Sequence, residues 1–199
     1  MAFHDNSIPV DKQDIALAKK LLAEAGYPNG GFDLEYLYVT GDKNELGAGQ
    51  VLQAALKPLG VNLKPLEVSW TILVGRMQDK PNAPDTYGYY TFPAYNDPDA
   101  VLMSMFHTSQ QGTGGYNGSY SGSPETDKML EEARTTTDNK RREELYKKIQ
   151  QDVYDNADVI PVANPNSIIL RRSWAKGYKY TPTWHNTINY HELSLQGKQ

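Results

Sequence analysis

The chain has 199 residues, 20 Lys and Arg against 24 Asp and Glu for a net charge of −4, 39% apolar residues and no cysteine. That length holds one domain with a real core or two small ones, and the mild charge gives no electrostatic ground for a nucleic-acid or anionic-membrane partner. The missing cysteines exclude a disulfide framework, a thiolate metal site and a Cys nucleophile.

No apolar run reaches the roughly 18 residues of a membrane span, and the polar start MAFHDNSIPV lacks the basic and apolar regions of a secretion signal. A cytosolic chain, or one whose start is a processed or truncated end, reads this way. In chain order, Asp11 reads as an N-cap with Asp14 three residues on. Ile15, Ala18, Leu21, Leu22 and Ala25 then follow at helical spacing, a helix of about four turns closed by Gly26. After PNGGF, Phe32 to Val39 alternates and then turns apolar on both faces, as a strand entering a core does. Asp42 caps a second helix, which stops at Gly60 and hands over to the strand VNLKPLEV. Strand, helix, strand is most simply a right-handed crossover between parallel neighbours, and it predicts an α/β layer architecture.

Ser69 caps the short helix WTILVGRMQ, and TYGYYTF reads as a further strand that ends at Pro93. Asp99 is the expected N-cap of a helix through Met103 and Phe106. SQQGTGGYNGSYSGS is too long and polar for anything but a surface loop, with its glycines supplying flexibility. Ser123 with Pro124 starts a helix to Arg134, and Asp138 caps an amphipathic helix carrying Leu145, Tyr146, Ile149 and Val153. ADVIPVA and NSIILRR read as strands, and the aromatic last thirty residues as irregular.

Covalent chemistry finds little footing. His4, His107, His185 and His191 lie in no helix-face metal spacing, no Ser sits in a nucleophile elbow, and GTGGYNG lacks the strand-to-helix setting of a phosphate loop. No cofactor is implied. Asp97 and Asp99 amid tyrosines admit a carbohydrate-active enzyme or carbohydrate-binding module as the alternative reading, with turn-closing and helix-capping as their structural use.

Four segments in series carry a resemblance: DIALAKKLLAEAGYPNGGFDLEYLY, VLQAALKPLGVNLKPLEVSW, NDPDAVLMSMFH and SPETDKMLEEARTTTDNKRREELYKKIQQDVYDNADVIPV. Together they resemble the C-terminal half of family 5 extracellular solute-binding proteins, the oligopeptide, dipeptide and nickel-type receptors of ABC importers. The resemblance runs from residue 11 to residue 180. It implies an α/β lobe of a type II periplasmic-binding-protein fold, a mixed sheet flanked by helices, over residues 1–199, with residues 180–199 as a tail returning to the hinge. The N-terminal lobe has no counterpart in the chain, which implies a piece of a longer receptor. The implied partners are that lobe, a small solute (peptide, opine, sugar or metal chelate) and an ABC permease, at a periplasmic or extracytoplasmic address beside the membrane. No catalytic residue is implied.

Solute contacts carry over only where motifs match. Trp70 stands at the Trp of the family's helix start, and a core Trp is the competing reading. Arg76 reads as a solvated charge. Tyr89 and Tyr90 alternate, so only one of them faces the cleft; Phe92, Pro93 and Tyr95 lie past the strand end, where α/β ligands bind. Tyr116, Asn117 and Tyr120 match an aromatic loop of the family, and Asn164 offers one amide or makes a turn. Peptide receptors of the family commonly carry a Trp where this chain has Thr91, and an amine-pairing Asp where it has Ala94. Without that carboxylate, a buried ammonium loses its partner at a cost of several kcal/mol unless the other lobe supplies an acid. A free-amine peptide is therefore not the obvious solute. A plain interaction module formed by the exposed half-cleft is a third reading.

Overall fold

Alternation of apolar residues with period two makes Phe32–Val39 a strand with two useful faces, and the architecture grows from them. The computed structural model describes residues 3–10, 12–164, 168–180 and 190–197. In order these form α1 (Ile15–Glu24), β1 (Phe32–Val39), α2 (Lys43–Leu56), β2 (Val61–Val68), α3 (Trp70–Met77), β3 (Thr86–Tyr87), α4 (Asp99–Phe106), α5 (Pro124–Thr135), α6 (Asn139–Asp155), β4 (Ala175–Lys176) and β5 (Ser194–Leu195).

β1 lies between β2 and β3 and is parallel to both, with Phe32 opposite Val61 and Tyr36 opposite Thr86. Helices cover both faces, as a parallel sheet requires. Leu37 turns toward α3, where it packs with Leu73 and Met77, and Val39, Val68, Tyr87 and Tyr89 border this cluster. Tyr36 turns the other way: a Cβ on Gly49 of α2 would strike its ring, so glycine lets helix and strand close up. Fully buried leucines such as Leu37 and Leu73 each contribute on the order of 2 kcal/mol. A second core is purely helical, with Phe106, Leu130, Ala133, Leu145, Tyr146 and Ile149 buried between α4, α5 and α6.

The expected caps form at Asp42, Ser69, Ser123 and Asp138, each accepting a backbone N–H of its helix. Gly60 turns the chain in the left-handed region at φ 74°. Asp11 lies outside the described residues, and α1 is capped by Asp14, which accepts from Leu17 N–H at 2.8 Å. That later start shortens the helix to 10 residues. Asp99 is not a cap either. It opens α4 as the first helical residue and gives its own N–H to the Asp97 carboxylate at 3.2 Å, so the short Asp-Pro-Asp turn places the acceptor two residues earlier.

Two further expectations are corrected. TYGYYTF leaves the sheet after Tyr87, because β1 has no free backbone group for the next rung. ADVIPVA and the described part of NSIILRR form no strand. Their apolar side chains stand in the open, Ile160 at 71% and Leu170 at 92% exposure, and a strand needs a neighbour. The pairing of β4 with β5 is antiparallel but sits in a separate ribbon, so the main sheet is parallel throughout.

The loop between α4 and α5 runs on the surface as expected at Thr113, Gly114, Tyr116 and Ser119, but it is anchored from beneath. Gly115, Asn117, Gly118 and Ser121 are buried in it. Asn117 Nδ2 donates to the carbonyls of Ser121 at 2.9 Å and His107 at 3.2 Å, doing for irregular backbone what a ladder does for a strand. Its glycines serve close approach: a Cβ on Gly118 would sit 2.8 Å from the Tyr87 hydroxyl, and one on Gly115 would overlap the Gln110 carbonyl.

Candidate functional site

Three parallel strands end on one side, so the loops after Val39, Val68 and Tyr87 share a rim. In open α/β sheets the crevice beyond the carboxyl ends of strands is where ligands bind. Ser69 caps α3 through Ile72 N–H at 3.3 Å and thereby puts Trp70 in the first position of the helix, on the rim. The indole is 44% exposed and tilted against Tyr89 at 6.3 Å between ring centroids. The indole is thus packed against its own lobe on one side and open on the other.

Tyr89 and Tyr90 lie past the end of β3 and join different ring groups. Tyr89 joins Trp70 and Tyr87, the latter at 5.8 Å. Burial raises the Tyr89 phenol, opposed by its hydrogen bond with Thr91 and reinforced by Tyr116 nearby. Tyr90 instead stacks on Phe92 at 6.1 Å and 20°, and its hydroxyl accepts Asn44 Nδ2–H at 2.9 Å. Phe92 and Tyr116 are both 44% exposed.

Thr91 and Ala94 are exposed and Pro93 is half-buried. Tyr95 carries an exposed ring whose hydroxyl donates to Asp99 at 2.7 Å; burial first and Asp99 second push its pKa up to about 12, so it stays a donor at neutral pH. Asn164 stands exposed on the segment after α6, and no described hydrogen bond joins it to the rings. The structure therefore sets Trp70 with Tyr87 and Tyr89 in one ring group and Tyr90 with Phe92 in another, with Thr91 between them in sequence, and places Tyr95 toward α4.

The charges around the rings are committed. Arg76 Nη2 donates to Glu35 at 2.7 Å, pinning α3 to β1. Asp97 accepts from Arg142 at 2.7 and 2.8 Å and from the Tyr146 hydroxyl at 3.2 Å. Burial works to raise the Asp97 carboxyl, but those hydrogen bonds and the guanidinium charge outweigh it and hold it below the usual carboxylate range. Asp99 is buried under Tyr95, with Arg134 Nε at 3.4 Å. As an acid and base pair for sugars, these two carboxylates are already spent on packing. Among the described residues no three His, Asp or Glu side chains converge on a metal-sized position.

Concave regions of 590 and 190 Å³ lie elsewhere, one along α2 and the start of β2 at Gln53 and Asn62, the other in the β4–β5 ribbon at Trp174 and Leu193. Asn44 was missed by sequence reasoning; its only signal was its place two residues inside the Asp42 cap.

Comparison with known proteins agrees with this geometry. Residues 1–113 match the family model of bacterial extracellular solute-binding proteins, family 5 Middle. Heme-binding protein A of Haemophilus influenzae is 29% identical over 185 residues, 91% of this chain and 32% of that protein. The periplasmic oligopeptide-binding protein OppA of Escherichia coli is 29% identical over 179 residues, 85% of this chain and 30% of that protein. The solved structure of the ABC transporter-associated periplasmic binding protein DppA from Helicobacter pylori, in complex with peptide STSA, superposes with a TM-score of 0.83 at 27% identity, over 98% of this chain and 37% of that one. The chain thus spans about a third of the length of the curated relatives it matches. The fold is that of one α/β portion of a type II periplasmic binding protein. With more than half of its residues matched, the chain belongs to the bacterial extracellular solute-binding proteins of family 5.

Proposed function

We infer that the chain is one lobe of a two-lobed receptor that captures a small solute and delivers it to an ABC permease outside the cytoplasmic membrane. The observation that carries this reading is the set of half-exposed rings, Trp70, Phe92 and Tyr116 with Tyr89 and Tyr90, at the carboxyl ends of three parallel strands. Large apolar residues left open at such a rim mark a binding surface. The other lobe closes the cleft over the solute by hinge motion. Most of the expected hinge-return tail, residues 180–199, lies outside the described residues. The apolar side chains of Ile160, Val162, Ile168 and Leu170, all largely exposed, fit burial against that lobe.

The solute is bound without covalent chemistry, through ring faces and hydroxyls. Peptides, opines, sugars and metal chelates all offer such faces, and relatives named for peptides and heme show the breadth of the family. Thr91 and Ala94 offer no ion pair to an ammonium, so this lobe favours a solute that presents no free amine to it. The test is ligand-induced thermal shift of the receptor completed with its N-terminal lobe, over peptides with free and blocked amines, opines, sugars and metal chelates. A shift with one class, lost in Trp70→Ala, is expected. No shift in any class would end the transport reading, and a preference for free-amine peptides would end the solute preference.

A further inference from the structure

The chain from Gly88 onward leaves the sheet although β1 still runs beside it for two residues. In a parallel ladder every second residue of a strand serves the same neighbour, giving its N–H to one residue and taking an N–H from the residue two further on. Leu37 serves β3 in this way, its carbonyl accepting Gly88 N–H at 3.0 Å. The next rung belongs to Val39, whose N–H would go to the Gly88 carbonyl and whose carbonyl would take Tyr90 N–H.

Both groups of Val39 are occupied by the N-terminal turn of α2. Val39 N–H donates to Glu45 Oε2 at 2.7 Å, and the Val39 carbonyl accepts Asp42 N–H at 2.9 Å. The other end of β3 is closed in the same manner, because Glu35 N–H donates to the Asp85 carboxylate at 2.8 Å. Two carboxylates thus limit the strand to Thr86–Tyr87.

Glu45 is held firmly enough for this. It is 7% exposed, the Tyr36 hydroxyl donates to its carbonyl at 2.7 Å, and Asp42 caps its N–H at 2.9 Å. No Lys or Arg pairs with it among the described residues, so its carboxylate is committed to the backbone. Gly88 passes so close that a Cβ there would overlap the Tyr36 hydroxyl. Asn44, one residue before Glu45, then seats Tyr90.

We propose that Glu45 is a positioning residue of the ring site: by taking Val39 N–H it ends β3 at Tyr87 and turns Tyr89–Tyr95 out of the sheet onto the rim. Its functional meaning rests on the ring loop being the solute wall; its structural content does not. The test is ligand-free amide hydrogen exchange and NMR of the 199-residue chain. In Glu45→Ala, Val39 N–H loses its acceptor, so its exchange rises about tenfold or the rung to Gly88 forms, and the Tyr89–Phe92 resonances move either way. Glu45→Gln keeps a carbonyl acceptor and restores wild-type exchange. Wild-type exchange at Val39 together with wild-type Tyr89–Phe92 shifts in Glu45→Ala overturns the proposal. If Glu45→Ala does not fold, Glu45→Asp decides: it is one methylene short of Val39 and must behave unlike Glu45→Gln, and equal behaviour of the two overturns it. Because no solute enters the measurement, it is decided independently of the thermal-shift screen.

Discussion

Arg142 and Asp97, 45 residues apart in sequence, meet in a single joint: one guanidinium nitrogen lies 2.8 and 2.7 Å from the two carboxylate oxygens. The same guanidinium lies over the rings of Phe3 and Tyr146 at 5.4 and 5.5 Å. The ring loop is thereby fastened to α6. Arg142→Ala leaves a partly buried carboxylate without its cation and is expected to cost about 1–2 kcal/mol of unfolding free energy in urea. Asp97→Asn keeps acceptor capacity and is expected to cost less.

The Asp97 carboxyl titrates below its ordinary value of 3.8 in the folded chain. A depressed carboxyl stabilises the fold while ionised, so its contribution is full above the unfolded pKa and is lost as the pH falls through the folded one. The stability difference between the parent chain and Asp97→Asn is therefore expected to hold at pH 6 and to shrink as the pH falls below about 4. Denaturant midpoints at stepped pH measure it. A gap that stays constant through that window contradicts the assignment.

Two glycines in one helix separate packing from propensity. Gly47 has nothing within 4 Å of an added Cβ, so Gly47→Ala is expected to stabilise by about 0.5–1 kcal/mol. Gly49→Ala drives a methyl into the buried Tyr36 ring and is expected to cost about 2 kcal/mol. Thermal melts of the two variants should move in opposite directions.

Asn117 is 1% exposed and satisfies two loop carbonyls, so Asn117→Ala orphans both. A loss of about 2–3 kcal/mol is expected. Amide exchange between Thr108 and Ser121 should quicken more than exchange in the sheet.

Local chemistry was legible and contacts across the chain were not. Asp42, Ser69, Ser123 and Asp138 cap helices because a short oxygen-bearing side chain before a helical run accepts its first N–H groups wherever the helix later packs. The length of β3 depends instead on Glu45 reaching Val39, which no periodicity in TYGYYTF encodes. The anchoring of the loop over residues 111–121 depends on one asparagine amide, in a stretch whose composition reads as solvated. In the site, the rings were legible as residue types, while the grip of Asn44 on Tyr90 was not.

The ring loop is a bridge with an abutment at each end. Its near end is bolted to the start of α2 by Asn44 on Tyr90, and its far end to α6 by Asp97 on Arg142. Between them lie Thr91, Phe92, Pro93, Ala94 and Tyr95, with a proline to stiffen the deck. A span held at both ends keeps its rings in place without any strand beneath them, because two helices from separate parts of the fold share the load.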